Sequence, residues 1–322
     1  MIPAEPAVLG VAIVLDVALG DPRWLPHPVV LIGRLITALE TIFRQAVRNE
    51  RVAGGLLLIA TTGISAAAAW LLLRCSSLVH PLAGFLAATV LSYTCLAARS
   101  LHSESALVAK ALVAGDLTEA RRTLSYIVGR DTANLDETEI WRALVETVAE
   151  NTSDGIIAPL FWLALGGPIA GIAYKAVSTL DSMVGYKNER YLHVGWASAR
   201  MDDLLNFIPA RLTALLMILA AAPAGLSPRG ALLITRRDRL NHPSPNSGHP
   251  EAAAAGALGV QLGGRAFYGG RESWKETIGD PHVPLDERAY RGMLRLMYIS
   301  TIIMAAACIG AIALKGSHVP HL

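Results

Sequence analysis

The chain has 322 residues, of which 53% are hydrophobic and only 17% charged, and its formal net charge is +2. Soluble domains carry about 25% charged residues, so the composition argues for a membrane protein and against an ordinary soluble domain. A charge balance this close to zero, with Lys and Arg spread along the chain, argues against nucleic acid as a partner.

In chain order, the apolar run 7–19 is short for a span and contains Asp16. It lacks a basic n-region and a small-residue cleavage site, so it reads as retained rather than removed. The turn GDPRWLPHP that follows carries Asp21 and His27; a lone histidine there is more often structural than catalytic. Runs 52–73 and 79–98 are long and apolar enough to span, with His80 at the mouth of the second, and the short connector 74–78 makes them a hairpin. Residues 100–114 and 117–128 show apolar positions at helical spacing. Gly115 suits the end of the first of these helices, and Asp116 and Glu119 are placed as a capping box for the second.

Polar groups crowd the stretch from Gly129 to Arg211. Glu139, Arg142, Glu146, Glu150 and Asp154 recur at steps of three and four, forming one stripe on a helix. Such a stripe is ordinarily a solvated face. Here it runs into an apolar segment and ends in Asn151-Thr-Ser-Asp154-Gly, so its carboxylates are equally candidates for Mg²⁺ ligands or general bases. The apolar run 156–173 is interrupted by Gly166-Gly167-Pro168, which breaks a helix or makes it re-enter. Lys175, Ser178 or Thr179, and Ser182 share the next face, with Asp181 beside it; Lys175 either snorkels to the interface or binds phosphate. Arg200, Asp203 and Asn206 form a further stripe and Arg211 follows one turn on, all ionisable or polar groups next to apolar runs.

Run 207–224 is apolar but holds Pro209, Arg211 and Pro223. The Pro-rich segment 241–251 is a loop between helices. Its end, Asn246-Ser247-Gly-His249-Pro-Glu251, can present backbone N–H groups to an anion, while Gly256 and Gly259 further on also read as close-packing positions alone. No standard nucleotide loop is present. Run 297–314 is a third firm span. Cys75, Cys95 and Cys308 lack a second ligand at metal spacing and read as buried small hydrophobes. No alternating strand pattern, repeat or low-complexity tract is visible.

These readings give one all-α, polytopic membrane domain over 1–322, with about four to six membrane segments, some broken or re-entrant, and amphipathic helices beside them. Segment 20–51 holds Arg23, Arg34, Arg44, Arg48 and Arg51, and 99–155 and 226–296 are also basic, which places them in the cytoplasm. If both weak central runs cross, 174–206 lies on the outer side; if both only dip in, every polar stretch shares one face and one active site. The second arrangement is preferred.

Five motifs in order, GDPRWLPHPVVLIGRLI, AENTSDGIIAPLFW, AYKAVSTLDSMVGYKNERY, ARMDDLLNFIPARL and SPNSGHPEAAAAGALGVQLGG, resemble the adenosylcobinamide-phosphate synthase family of cobalamin biosynthesis. Ser178 and His249 depart from its pattern, standing where Asn and an aromatic residue are common. The resemblance implies a multi-pass cell-membrane ligase that joins adenosylcobyric acid to (R)-1-amino-2-propanol phosphate, or aminopropanol, to give adenosylcobinamide phosphate. It implies ATP and Mg²⁺, with the corrinoid as substrate rather than bound cofactor. For such chemistry, Glu146, Glu150 and Asp154 are expected to bind Mg²⁺ (Glu150 and Asp154 above all) or to deprotonate the amine. Lys175, Arg200 and Arg211 are expected to hold phosphate, with Asp181, Asp202 and Asp203 orienting them or binding a second metal. Asp21, His27, Asn151, Ser178, Tyr186, Asn206, Asn246, Ser247, His249 and Glu251 are expected to contact substrate. The bilayer, a homo-oligomer and other cobalamin-assembly enzymes are the expected partners. The rival readings are a transporter of corrinoids or a related small molecule, and a membrane sensor or scaffold.

Overall fold

A computed structural model describes residues 5–22, 27–186 and 188–317, and about 73% of the chain is helical. The order is α1 (Pro6–Leu19), α2 (Pro28–Ala46), α3 (Glu50–Val79), α4 (Pro81–Tyr93), α5 (Ala98–Val113), α6 (Leu117–Leu124) and α7 (Glu137–Thr152). A π-helical turn (Ser153–Ile157) leads to α8 (Ala158–Val184), α9 (Trp196–Leu205), α10 (Phe207–Ala221), α11 (Pro228–Asp238) and α12 (Gly248–Leu258). Strands β1 (Leu262–Tyr268) and β2 (Arg271–Ile278) and the long α13 (Glu287–Ser317) complete it. Four helical stretches are long and apolar enough to cross a membrane: Glu50–Val79, Pro81–Val113, Glu137–Val184 and Glu287–Lys315. A fifth, broken candidate is the pair α9 and α10, and α1 is a shorter apolar helix. The architecture is that of a polytopic helical membrane protein.

The chain divides into two compact units: Met1–Ala97, Ala158–Asn206 and Ala305–Leu322 form the first, Ala98–Ile157 and Phe207–Met304 the second. In the first unit, α2, α3 and α8 share a core through Ile36, Leu57, Ala176 and Leu180, all fully enclosed. Burying each of the larger of these side chains contributes about 1.5–3 kcal/mol. Elsewhere α3 exposes Ile59 (71%) and, at its end, Val79 (81%), a surface that suits lipid and not water. Cys75 lies exposed on this helix, contrary to the expected burial, because the exposed face of a span is itself apolar; Cys95 and Cys308 are buried as expected.

The expected connector 74–78 is helical, and α3 continues to Val79. The break falls at His80, where Pro81 disfavours helix in the preceding residue and the His80 imidazole Nδ1 accepts the Leu82 N–H at 3.1 Å. The interruption at Gly166 and Gly167 is present: Gly167 takes φ 67°, ψ −162°, a backbone that only glycine adopts without strain.

In the second unit, Gly115 ends α5 with φ +74° and Asp116 caps α6 through the Glu119 N–H. Helices α11 and α12 meet at Gly230 and Gly256, where a Cβ on either would fall 2.2–2.3 Å from the other's carbonyl oxygen. Gly256 therefore serves close packing, as one reading had it. Gly259 does not: at φ +73° it terminates α12. The antiparallel hairpin β1–β2 overturns the expectation of no strands. β1 opens on a glycine pair and β2 is highly charged, so neither alternates visibly, but Gly269-Gly270, both at positive φ, form the kind of two-residue turn that joins such strands.

Candidate active site

The polar stripe on α7 is not a solvated face. Glu139 and Glu146 are 8% and 3% exposed, and each is tied to a particular partner. Helix α7 starts in a capping box: Asp136 Oδ1 accepts the Glu139 N–H at 2.8 Å and Glu139 Oε2 accepts the Asp136 N–H at 3.0 Å. The other Glu139 oxygen pairs with Arg265 on β1 at 3.2 Å.

Two turns further along α7, Glu146 accepts from Arg130 Nη2 at 2.6 Å through one oxygen and from the Gly263 N–H at 2.7 Å through the other. An ion pair this enclosed is held by geometry, since each charge would be strongly disfavoured alone. Glu150, one turn on, accepts the Ser247 hydroxyl at 2.8 Å. A third carboxyl, Glu251 on the first turn of α12, is 3% exposed and lies 3.7 Å from His242 Nε2. His242 Nδ1 accepts the Ser244 N–H at 3.0 Å, and its Nε2 is 3.3 Å from Lys275 Nζ on β2. In the neutral ring the Ser244 contact puts the proton on Nε2.

Electrostatics separate these groups. Burial first, then the charges of Glu146 and Glu150, push the Glu251 carboxyl well above its usual range, with Lys275 and Arg130 pulling the other way. Burial and the Lys275 charge lower His242. His249, beside Glu251 in sequence, is lowered to about 4 by burial and by Arg211 and Arg239. Burial thus favours the neutral form of both imidazoles and of the Glu251 carboxyl, and shifting titratable groups in this way is how proton donors and acceptors come to coexist at one pH.

The structure sorts the expected residues plainly. In the second unit it brings together Glu146, Glu150, Ser247 and Glu251, and links Asn246 Oδ1 to Arg211 Nη1 at 3.4 Å. Glu251 and His249 belong to the first turn of α12 and not to the preceding loop, because the alanine run favours helix and Pro250 is tolerated in a first turn. Asn151 spends its amide on the Thr147 carbonyl. Asp154 lies in the π-helical turn, which interrupts the four-residue repeat after Glu150.

In the first unit Asn206 is 1% exposed; its Oδ1 accepts from Tyr174 and its Nδ2 donates to Asp202, both at 2.9 Å. Lys175, Ser178 and Asp181 are partly exposed on α8, Asp203 is partly exposed on α9, and Arg200 and Tyr186 are exposed. His27 caps α2 through Nδ1 and sets Nε2 3.4 Å from Asp21; Arg23–Pro26 of that motif, and Lys187, lie outside the described residues. Among the described residues no group of three or more His, Cys, Asp or Glu is disposed to hold a metal ion. Glu150 and Asp154 thus form no complete protein site. Mg²⁺ is commonly held by one or two carboxylates with substrate phosphates supplying the rest, so any Mg²⁺ at these residues would depend on substrate oxygens.

Arg130, His242, Lys275 and the Gly263 N–H were not singled out from sequence. Lys275 and Gly263 arrive on the hairpin, whose signal was the Gly269-Gly270 turn. Arg130 and His242 lie in irregular segments and leave no periodic trace.

The profile of the family described as CobD/Cbib protein matches residues 9–297. Cobalamin biosynthesis protein CobD of Pelobacter propionicus is 65% identical over 323 residues, covering 100% of both chains. The protein of the same name from Geobacter metallireducens is 67% identical over 91% of this chain and 92% of its own. Cobalamin biosynthesis protein CbiB of Salmonella typhimurium is 46% identical over 94% of this chain and 95% of its own. No solved structure matches.

Proposed function

Because the chain belongs to the CobD/Cbib protein family, we propose that it acts in cobalamin biosynthesis as a membrane-embedded, ATP-dependent amide synthase. It would join adenosylcobyric acid to (R)-1-amino-2-propanol phosphate, or aminopropanol, giving adenosylcobinamide phosphate. The observation that carries this reading is the enclosed cluster of Glu146, Glu150 and Glu251 with Arg130, His242 and Lys275.

Amide formation needs a neutral amine, an activated carboxyl and cations for the charge that develops. ATP cleavage would supply the activation, with ADP and phosphate released. Glu150 has one oxygen on Ser247 and is the base assigned to the substrate ammonium. Glu146, with both oxygens engaged, holds Arg130 and the hairpin in position. Lys275 and Arg211 are the cations assigned to phosphate. Lys175 and Arg200 in the first unit remain assigned to phosphate, and Asp181, Asp202 and Asp203 to orienting them; Mg²⁺ would be held by Asp154 with substrate oxygens, and by Glu150 only where Glu150 is not the base. The polar stretches are assigned to the cytoplasmic side.

Purified protein supplied with adenosylcobyric acid, aminopropanol phosphate and Mg-ATP should yield the amide by mass spectrometry, and Glu150→Gln should abolish it. Normal turnover in both Glu150→Gln and Lys175→Ala would overturn the assignment of roles. The interrupted helix at Gly166 and Gly167 is what a transporter would also use. Corrinoid uptake by proteoliposomes with no amide formed would favour that reading instead.

A further inference from the structure

The chain has no standard nucleotide loop, yet the proposed reaction consumes a nucleoside triphosphate. Within the second unit, an open cleft of about 500 Å³ lies along the hairpin, lined by Arg142, Gly263, Gly264, Arg265, Glu272 and Trp274 among others. That volume falls within the range of small-molecule sites.

Several features mark it as more than a surface dent. Trp274 is 71% exposed although tryptophan is among the least favourable side chains to leave in water, and its ring forms part of the wall. The Arg142 guanidinium is largely enclosed, donates through Nη2 to the Arg265 carbonyl at 2.9 Å, and keeps Nε without a hydrogen-bond partner. Glu139 Oε1 lies 4.0 Å from its Nη2, and enclosed polar groups are normally satisfied, so it is the Nε donor alone that the chain leaves unmet. Gly264, beside Arg142, takes φ +82°, a backbone that favours glycine. Gly263 also lines the cleft, and its N–H is the donor that holds Glu146. The cleft is therefore joined through one peptide to the buried carboxylate cluster.

We propose that this cleft binds the nucleoside triphosphate. Trp274 stacks on the base, Arg142 receives phosphate, and Glu272 is positioned to accept from a ribose hydroxyl or the exocyclic amine. An exposed aromatic platform next to a guanidinium is the combination that nucleotides satisfy, since any base has a face to stack and any phosphate needs a cation. Arg265 is committed to Glu139 and closes the wall instead of reaching the phosphates. The inference rests on the proposed ligase activity for the identity of the ligand, but not for the existence of the site.

Binding of ATP to the full-length protein in detergent or nanodiscs, followed by calorimetry with and without Mg²⁺, tests it independently of turnover. Wild type should bind ATP. Trp274→Ala should weaken binding about tenfold or more, while Trp274→Phe should stay close to wild type. Arg142→Gln should weaken ATP much more than adenosine. Equal affinity in all variants, or no binding by wild type, would overturn the site. So would a loss confined to adenosylcobyric acid, which would make the cleft a corrinoid platform. If ATP binds in a Trp274-dependent manner but no amide forms, the cleft stands and the ligase reading falls. If the amide forms and ATP binding ignores Trp274 and Arg142, the ligase reading stands and the cleft falls. Trp274→Phe also guards against misfolding, because it preserves the hairpin's aromatic volume.

Discussion

The two units build their buried ion pairs differently. In the first, Glu40 is 8% exposed, but its partners are Arg44, one turn along the same helix at 3.0 Å, and Arg190, itself open to solvent, at 3.4 Å. Water can screen that network, and such pairs are worth little individually. In the second, Glu146 faces Arg130 at 2.6 Å with both side chains almost wholly enclosed, and Glu251 lies in the same interior. Enclosed charges interact through a lower effective dielectric, so losing one partner leaves the other stranded. The second unit keeps a charged interior that packing alone does not require.

The strongest way to break this contrast is Glu146→Ala. It strands Arg130 and the Gly263 N–H together, and the expected loss is about 3–5 kcal/mol of stability, read as a large fall in Tm. A loss no greater than that of Glu40→Ala would erase the distinction. Next comes the backbone contact that lets α11 and α12 carry Asp238 and Glu251 on adjoining helices. Gly256→Val would force a side chain into the Gly230 carbonyl, and overpacking of this kind costs about 1–3 kcal/mol. An unchanged melting curve would show that the helices can separate freely.

Much of the scaffold was legible because hydrophobic length reports on membranes directly. The spans from α3 onward, the α6 cap at Asp116 and the kink at Gly167 all follow from local composition. The site was only half legible. Glu146, Glu150 and Glu251 stood out as carboxylates near apolar runs. Their partners Arg130 and Gly263, and the neighbours His242 and Lys275, come from loops and a hairpin of one glycine-rich and one charged strand, neither with visible hydrophobic alternation. Long-range pairing of that kind leaves no period in the sequence. The π-helical turn is similar: Asp154 fits an ideal four-residue repeat, and only the backbone shows that the repeat ends before it.

The charged interior also predicts a particular pH dependence, carried by α12 outside the candidate spans. His249 is lowered from its ordinary 6.5 to about 4, so the unfolded chain binds a proton that the fold resists. The stability due to neutral His249 is complete above 6.5 and is lost as pH falls toward 4. Glu251 is shifted the other way. The fold favours its protonated form, so that contribution is complete below the ordinary 4.5 and is lost as pH rises through the raised value. Tm against pH should therefore fall on both sides. His249→Gln should flatten the acid limb and Glu251→Gln the alkaline limb. Three superimposable profiles would show that neither proton is linked to folding.

The smallest expected effect tests the quiet unit. Tyr174 is 1% exposed and donates to Asn206 Oδ1, while Asn206 Nδ2 donates to Asp202. Tyr174→Phe keeps the ring's packing and removes one neutral hydrogen bond, so the expected loss is about 0.5–1.5 kcal/mol. If Asn206 only closes the end of α9, amide synthesis should survive the substitution with an unchanged KM, because Asp202 still holds the amide. If Asn206 contacts substrate, as the sequence suggested, freeing its carbonyl to reorient should raise KM while kcat stays constant. The two outcomes separate a structural Asn206 from a binding one without removing the residue itself.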